Sequence, residues 1–401
     1  MKTPLRSLAL LTLLTFISAS SVLADLVIPS DGTDRELRIT NNTVIDLSRA
    51  ITGVWSNKIS EPDAGRGIYD PEKWAVVFKY SSVVIASNVT VTFRNHESHA
   101  PVVWLVNGDV VINGAVSLDG ASPITTDPGY RSPTEPGPGG FRGGAYGPEG
   151  MGWGMGPGGG HHGDPRLYNC GGTGGAYLSS YGSPQIVPLI GGSGAPALSG
   201  NGGAAGGAIL IAASKLVVIN GQISANGSWT PGGYCIPGYN VHASSGAVRI
   251  IADSILGTGS ISAVYDGRTR MEANSLSADL QLTPITVAVP PGATPIIWPH
   301  ESAADVRILS VDSQRAPPDP RAGLSTATDI NISLSSSAEI LLETKRFPTN
   351  GIVAVRISPK YSAGNVINAS FISGDFSRAT WRATATFLNG FAVLQAHAKA
   401  P

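Results

Sequence analysis

Hydrophobic and polar positions repeat along the middle of the chain as short β-branched runs separated by tight polar turns. Each unit has an apolar run, a turn, a second run, an Asn-Gly or Thr-Gly pair and a shorter third run ending in Ser. The unit occurs three times, in residues 103–117, 209–224 and 248–262. One unit cannot bury its apolar face without a neighbour, so the recurrence predicts parallel strands stacked coil upon coil, as in a parallel β-helix.

Two earlier stretches, residues 37–47 and 83–93, alternate apolar and polar side chains. They are expected to supply the opening coils or a cap. An antiparallel sandwich is the alternative fold, because Asn-Gly is also a strong β-hairpin signal. The like-for-like recurrence of the Gly-containing turn favours the stacked arrangement.

Two insertions interrupt the coils, at residues 136–207 and 228–245. In the first, 27 of 72 residues are Gly. Such a composition cannot bury enough apolar side chain to form its own core. We expect it to drape over the coils, to pack as extended segments or to stay mobile.

Aromatic residues on these insertions are the candidate ligand-binding residues. Loops held by a rigid scaffold commonly carry function, and aromatic rings can stack on the apolar C–H faces of sugars. Anchoring of the loops to the scaffold is the alternative role of the same rings. The candidates are Trp153, Tyr168, Trp229, Tyr234 and Tyr239.

Residues 1–24 have the features of a bacterial secretory signal peptide. Lys2 and Arg6 precede an apolar run, and a small-residue cleavage pattern ends at Ala24. The apolar run is shorter than a bilayer requires, although a membrane anchor is the alternative. The mature protein is expected to be secreted, to the extracellular space or the cell surface.

The chain has two cysteines, Cys170 and Cys235, one in each insertion. A disulfide persists outside the cytoplasm, so the expected bond would join the two insertions. Two free thiols are the alternative.

A separate C-terminal module is predicted for residues 283–401. A Pro-rich stretch after residue 282 is typical of a linker, and seven short alternating strands follow it. They predict an antiparallel immunoglobulin-like β-sandwich, without the Cys, Trp and Cys core of true immunoglobulin domains. Trp381 is predicted to be a core aromatic. The β-helix with its insertions then occupies residues 25–282.

Neither the net charge nor the polar clusters of the sequence identify a reaction or a metal site. The 27 Lys and Arg residues against 28 Asp and Glu give a net charge of −1, which disfavours nucleic acid as a partner. The segment from His161 to Asp164 could bind a metal but is better explained as a solvated loop tip, because neighbouring side chains on an extended chain diverge. Asp119 and Asp266 each precede a Gly. They could form an acid/base pair, but turn formation is the common role of such residues.

The Gly-rich coils at residues 202–211, 220–227 and 245–250 resemble those of secreted bacterial parallel β-helix proteins, of the pectin-lyase-like and adhesin-like kinds. The resemblance covers residues 101–267 and implies an all-β chain with a right-handed parallel β-helix. Polysaccharide-cleaving members carry clustered Asp residues, a Gly-His-Gly and an Arg-x-Lys, or a calcium-binding Asp set. This chain carries none of these motifs, so no catalytic residue is transferred.

Two functions remain after these observations. The first is a non-catalytic extracellular or surface-associated protein that binds a glycan or a cell-surface partner through loops on a β-helix scaffold. The alternative is a carbohydrate-active enzyme, a polysaccharide lyase or glycoside hydrolase, with its site on the β-helix flank. No cofactor, metal or transmembrane segment is expected, and the sequence leaves the oligomeric state open.

Overall fold

The computed structural model describes residues 26–57, 60–123, 133–147, 150–161, 181–198, 200–230, 241–320, 328–332, 337–387 and 390–401. In these ranges the chain forms β-strands joined by turns, together with two 3-10 helices, η1 (Leu47–Arg49) and η2 (Glu61–Asp63). The all-β class and the parallel sheets predicted from the sequence are confirmed. None of the described helices is long and apolar enough to cross a bilayer.

Three sheets are formed by strands from successive coils; every strand pair in them is parallel except one antiparallel pair, residues 68–70 with 75–77. Sheet 1 contains, in spatial order, β1 (Glu36–Ile39), β6 (Ser82–Ile85), β9 (Val110–Ile112), β14 (Leu216–Ile219), β19 (Ser254–Leu256) and β22 (Ser275–Leu276). Sheet 2 contains β2 (Thr43–Asp46), β7 (Thr90–Arg94), β10 (Ala115–Ser117), β15 (Gln222–Ser224), β20 (Ser260–Ser262) and β23 (Gln281–Thr283). Sheet 3 contains β3 (Ile51–Thr52), β4 (Ile68–Asp70), β5 (Ala75–Tyr80), β8 (Val102–Val106), β13 (Ala208–Ala213), β18 (Ala247–Ile251) and β21 (Arg268–Glu272).

The three sequence repeats stack in register with parallel strands. In sheet 3, Ile209 pairs with Val102 on one side and Val248 on the other. The second and third strands of each repeat pair in the same way in sheets 1 and 2. Their inward Val and Ile side chains form one continuous buried column. The antiparallel alternative is therefore wrong for these strands, and the earlier stretches supply the opening strands β1, β2, β6 and β7, as expected.

The recurring Gly at the turn before each sheet 2 strand is required by close backbone approach. A Cβ on Gly221 would lie 1.8 Å from the Gly114 carbonyl oxygen, and one on Gly259 would lie 2.1 Å from the Gly221 carbonyl oxygen. The preceding residues also stack, since Asn220 Nδ2 donates to Asn113 Oδ1 at 2.9 Å. The Asn-Gly repeat is thus part of the contact between coils.

Sheet 3 is buried on both faces. Its outward side chains, such as Val103 and Leu210, pack against apolar residues from three other segments. The covering residues are Leu26 and Ile28, Ile186 and Leu189, and Ile297. A strand buried on both faces reads as a continuous apolar run, which is the sequence pattern of β8 and β13.

The described part of the first insertion forms a glycine-rich layer, which we define as residues 136–147, 150–161, 191–198 and 200–207. Its segments lie side by side, with Gly144 donating to the Ala195 carbonyl at 2.9 Å and Gly202 donating to the Gly144 carbonyl at 2.7 Å. A Cβ on Gly143 would lie 2.1 Å from the Gly202 carbonyl oxygen. Close backbone packing thus takes the place of a side-chain core here.

One short antiparallel pair lies within this layer, and a second contacts it through the Gly203 N–H, which donates to Thr230 Oγ1 at 2.8 Å. The first pairs β11 (Tyr146–Gly147) with β12 (Gly150–Met151), and the second pairs β16 (Trp229–Thr230) with β17 (Val241–His242).

The C-terminal module contains two antiparallel sheets. One has the strand order β25 (Gln314–Arg315), β24 (Asp305–Val311), β26 (Ala338–Lys345), β30 (Arg378–Ala385) and β29 (Ser370–Gly374). The other has the order β28 (Asn365–Asn368), β27 (Ile352–Pro359) and β31 (Ala392–Lys399). Both sheets contribute to one hydrophobic cluster, in which Trp381 is buried as predicted.

Candidate functional site

An exposed aromatic surface lies where the second insertion leaves sheet 2. In the pair of β16 and β17, Trp229 lies opposite His242 and Thr230 lies opposite Val241. Thr230 and Val241 are buried, whereas Trp229 is 44% exposed. Directly opposed residues of an antiparallel pair share one face. Trp229 and His242 therefore both lie on the outer face.

Tyr265 extends this surface from the next coil. Its ring stacks on His242 with 3.8 Å between centroids and 20° between planes, while 49% of Tyr265 stays exposed. Tyr265 has φ of +40° and Asp266 has φ of +60°. Bulky residues rarely adopt such backbone, and strain of this kind concentrates at functional sites. We call Trp229, His242 and Tyr265 the aromatic platform.

Burial lowers the pKa of the His242 imidazole below its usual range. The ring is therefore neutral at pH 7. The platform presents three uncharged planar groups.

A ladder of hydrogen bonds between coils holds the base of the platform. The Asn226 backbone N–H donates to Asp119 Oδ1 at 2.6 Å, and Asn226 Oδ1 accepts from the Val264 backbone N–H at 3.0 Å. Trp229 follows Asn226 by three residues, and Tyr265 directly follows Val264. Asp119 also accepts from the Ser224 hydroxyl at 2.9 Å. Asp119 thus joins adjacent coils, and Asp266 lies in a turn.

Of the other predicted binding residues, only Trp153 belongs to the described residues. It belongs to the glycine-rich layer and contacts the C-terminal module, with the Arg356 guanidinium 5.0 Å from its ring centroid and the His161 ring tilted against it at 5.5 Å between centroids. A Cβ on Gly364 would lie 2.8 Å from Trp153 Cε3. These contacts are the ones that an anchoring role requires.

The remaining predictions for the insertions fall outside the described residues. They concern Tyr168, Tyr234 and Tyr239, the Cys170 and Cys235 disulfide, and His162 to Asp164. They stay predictions.

A second polar cluster surrounds Tyr69 on the flank of the coils. The Tyr69 hydroxyl donates to Asp319 Oδ1 at 2.5 Å, His96 stacks on the Tyr69 ring at 4.0 Å, and His96 Nδ1 lies 2.9 Å from Ser98 Oγ. A Ser beside a His suggests an activated nucleophile. Burial lowers the pKa of His96.

The same His-Glu-Ser sequence occurs again at residues 300–302 and makes the same contacts. His300 Nδ1 lies 2.7 Å from Ser302 Oγ and accepts from the Ser302 N–H at 3.1 Å. The corresponding Ser98 N–H lies 3.2 Å from His96 Nδ1. Both His residues also accept a backbone bond from the residue three positions on. The Ser and His contact is therefore a local turn geometry that this chain uses twice.

Glu135 fastens the first insertion to the coils. Its Oε1 lies 3.1 Å from His99 Nε2 and 3.0 Å from Asn95 Nδ2, and its Oε2 lies 2.8 Å from Arg142 Nη2. Burial raises the pKa of this carboxyl, but the hydrogen bond and charge of His99, the charge of Arg142 and the Asn95 bond outweigh burial and lower it to about 2.

The Glu135→Gln variant should lose a pH-dependent part of stability. The unfolded carboxyl has a pKa of about 4.3, so the stabilisation is complete above that pH and is lost as the pH falls towards 2. The side chain is 48% exposed, so solvent keeps the effect at or below about 1 kcal/mol. We expect the melting temperatures of wild type and variant to differ at pH 6 and to converge near about pH 2. A difference that does not change with pH would contradict this role.

The chain matches no protein-family model, no curated protein and no solved structure.

Proposed function

We propose that this protein is a secreted, non-catalytic glycan-binding protein of the extracellular space or cell surface, and that the aromatic platform is its binding site. The supporting observation is that Trp229, which pairs with His242 across the strands, and Tyr265, which stacks on the neutral His242 ring, stay 44% and 49% exposed. Exposed, clustered apolar surface marks interaction sites. Flat aromatic rings match the C–H faces of pyranose sugars.

The scaffold fits this role. We propose that the stacked coils of sheets 1, 2 and 3 form a right-handed parallel β-helix and that the C-terminal module is an immunoglobulin-like sandwich. The stacked coils fix the corner from which the platform projects, because each coil is hydrogen-bonded to the next along all three sheets. A rigid base limits the ordering cost of binding.

Two groups of titratable residues among the described residues have structural roles. Asp119 accepts hydrogen bonds from the next coil, and the His96 and Ser98 pair is a turn. These contacts favour binding over the alternative of a carbohydrate-active enzyme on the β-helix flank.

Trp229→Ala and Tyr265→Ala should each weaken glycan retention. Loss of one stacking ring is expected to lower affinity about tenfold, equivalent to about 1.4 kcal/mol. Affinity electrophoresis through gels that contain neutral or acidic polysaccharides measures this retention. Phe376→Ala is the matched control, because Phe376 is 59% exposed on the C-terminal module. Equal retention of wild type and both platform variants would contradict the proposed site.

The same incubations test for catalysis. We expect neither new reducing ends nor unsaturated products from any polysaccharide of the panel. Robust turnover would overturn the non-catalytic proposal and favour the enzyme.

A further inference from the structure

One border of the C-terminal module is an open sheet edge. Residues 365–374 form β28 and β29, which end the three-stranded and the five-stranded sheet respectively. The chain crosses between the sheets at Ala369, whose N–H donates to the Val353 carbonyl at 2.8 Å. No described strand pairs with the outer side of β28 or β29. We call residues 365–374 the border segment.

The border segment is uncharged and exposes large apolar side chains. Val366 is 51% exposed, Phe371 45% and Ile372 41%. None of its ten residues is Asp, Glu, Lys or Arg. An exposed apolar edge with free backbone groups is a template for pairing with another strand.

Three other sheet borders of the same molecule carry protection that this one lacks. The first strand of sheet 1 bears the Glu36 and Arg38 ion pair, and the last strand of sheet 3 is covered by Val289, whose N–H donates to the Met271 carbonyl at 3.0 Å. The edge strand β25 has two residues and includes Arg315. In the border segment, the one feature that disfavours edge pairing is a bulge between Phe371 and Ser373.

We propose that the border segment pairs with the border segment of a second copy of this chain, in an antiparallel two-fold dimer. Such symmetry places residues near the axis opposite their own counterparts, so any charge there would face a like charge. A run of ten uncharged residues removes this repulsion. In this isologous contact the border segment of each copy is paired with that of the other. Neither segment is then free to bind a third copy, so assembly closes at two copies.

The double substitution of Val366→Lys with Ile372→Lys tests the pairing. Sedimentation equilibrium of the purified protein, from about 1 to 100 µM, should show wild type shifting from one to two copies. The Lys variant should stay at one copy, because like charges then meet across the axis. The matched control replaces Ile285 and Val287 by Lys, since these residues are 92% and 82% exposed elsewhere. This control should dimerise as wild type does.

A mixture identifies the partner as a second copy. A variant with Glu at positions 366 and 372 should also stay at one copy alone, but a one-to-one mixture of the Lys and Glu variants should restore dimers. A wild type that remains at one copy over the whole range would overturn the proposal. So would loss of dimers in the Ile285 and Val287 control, or a mixture that stays at one copy. Dimerisation is measured without glycan, so these outcomes are independent of the aromatic platform.

Discussion

Arg356→Met should release the C-terminal module from the glycine-rich layer, so that heating shows a separate, lower transition for one of the two bodies. The Arg356 side chain is buried, and its Nη2 donates to the Gly159 carbonyl at 2.8 Å and to the Gly154 carbonyl at 3.2 Å. The guanidinium also lies 5.0 Å from the Trp153 ring centroid. Burial lowers its pKa to about 10, so it stays charged at pH 7.

The expected loss is about 3 kcal/mol. Methionine fills much of the space but leaves both carbonyl oxygens without this donor, and a buried unsatisfied group costs about 1–3 kcal/mol. A desolvated cation over a Trp ring contributes up to about 2 kcal/mol. Arg356→Lys should recover only part of the loss, since one ammonium group lacks the planar fork that reaches two carbonyls.

Differential scanning calorimetry measures the transitions. The matched control is Arg382→Met, because Arg382 pairs with Glu339 at 2.8 Å on the exposed face of the same module and is 54% exposed. This control should change stability by no more than about 1 kcal/mol. A scan of Arg356→Met that superimposes on that of Arg382→Met would show that the buried arginine does not couple the two bodies.

The stacked coils could be predicted because their side chains carry a pattern. Val and Ile recur at matching positions, and the Asn113 and Asn220 turns recur with them, so the sequence itself aligns one coil on the next. The arrangement of the glycine-rich layer could not be predicted. Glycine presents no apolar or polar face, and the neighbour of each segment is decided by backbone contacts between residues far apart in sequence.

The aromatic platform was predicted in part. Trp229 stood out as an aromatic on an insertion, but His242 and Tyr265 were missed because their contact depends on positive φ at Tyr265. The sequence repeats did contain a signal for the position of Tyr265. Ser117 and Ser224 are each followed by Gly three residues later, whereas Ser262 is followed by Gly267. The two extra residues are Tyr265 and Asp266, which project from the corner.

Among the glycines that the structure describes, Gly246→Ala should be the most damaging single-methyl change. A Cβ at this position would lie 1.7 Å from the Gly207 carbonyl oxygen and 2.6 Å from the Gly206 carbonyl oxygen. Both atoms belong to the backbone, so no side-chain rotation can relieve the contact. Gly246 also bridges coils, since its N–H donates to the Ala225 carbonyl at 2.8 Å and its own carbonyl accepts from the Arg268 N–H at 2.9 Å.

The methyl group must therefore push adjacent coils apart at the start of β13 and β18, where hydrogen bonds and the buried column both depend on their spacing. Overpacking typically costs 1–3 kcal/mol, and a contact against backbone belongs at the upper end, so we expect a loss of at least about 3 kcal/mol. Urea unfolding measures the loss as a lower midpoint. Gly292→Ala is the matched control, since the nearest atom to its Cβ would be 3.8 Å away, and it should change stability by less than about 0.5 kcal/mol. If both alanine variants unfold at the midpoint of wild type, close backbone packing is not the reason for glycine at position 246.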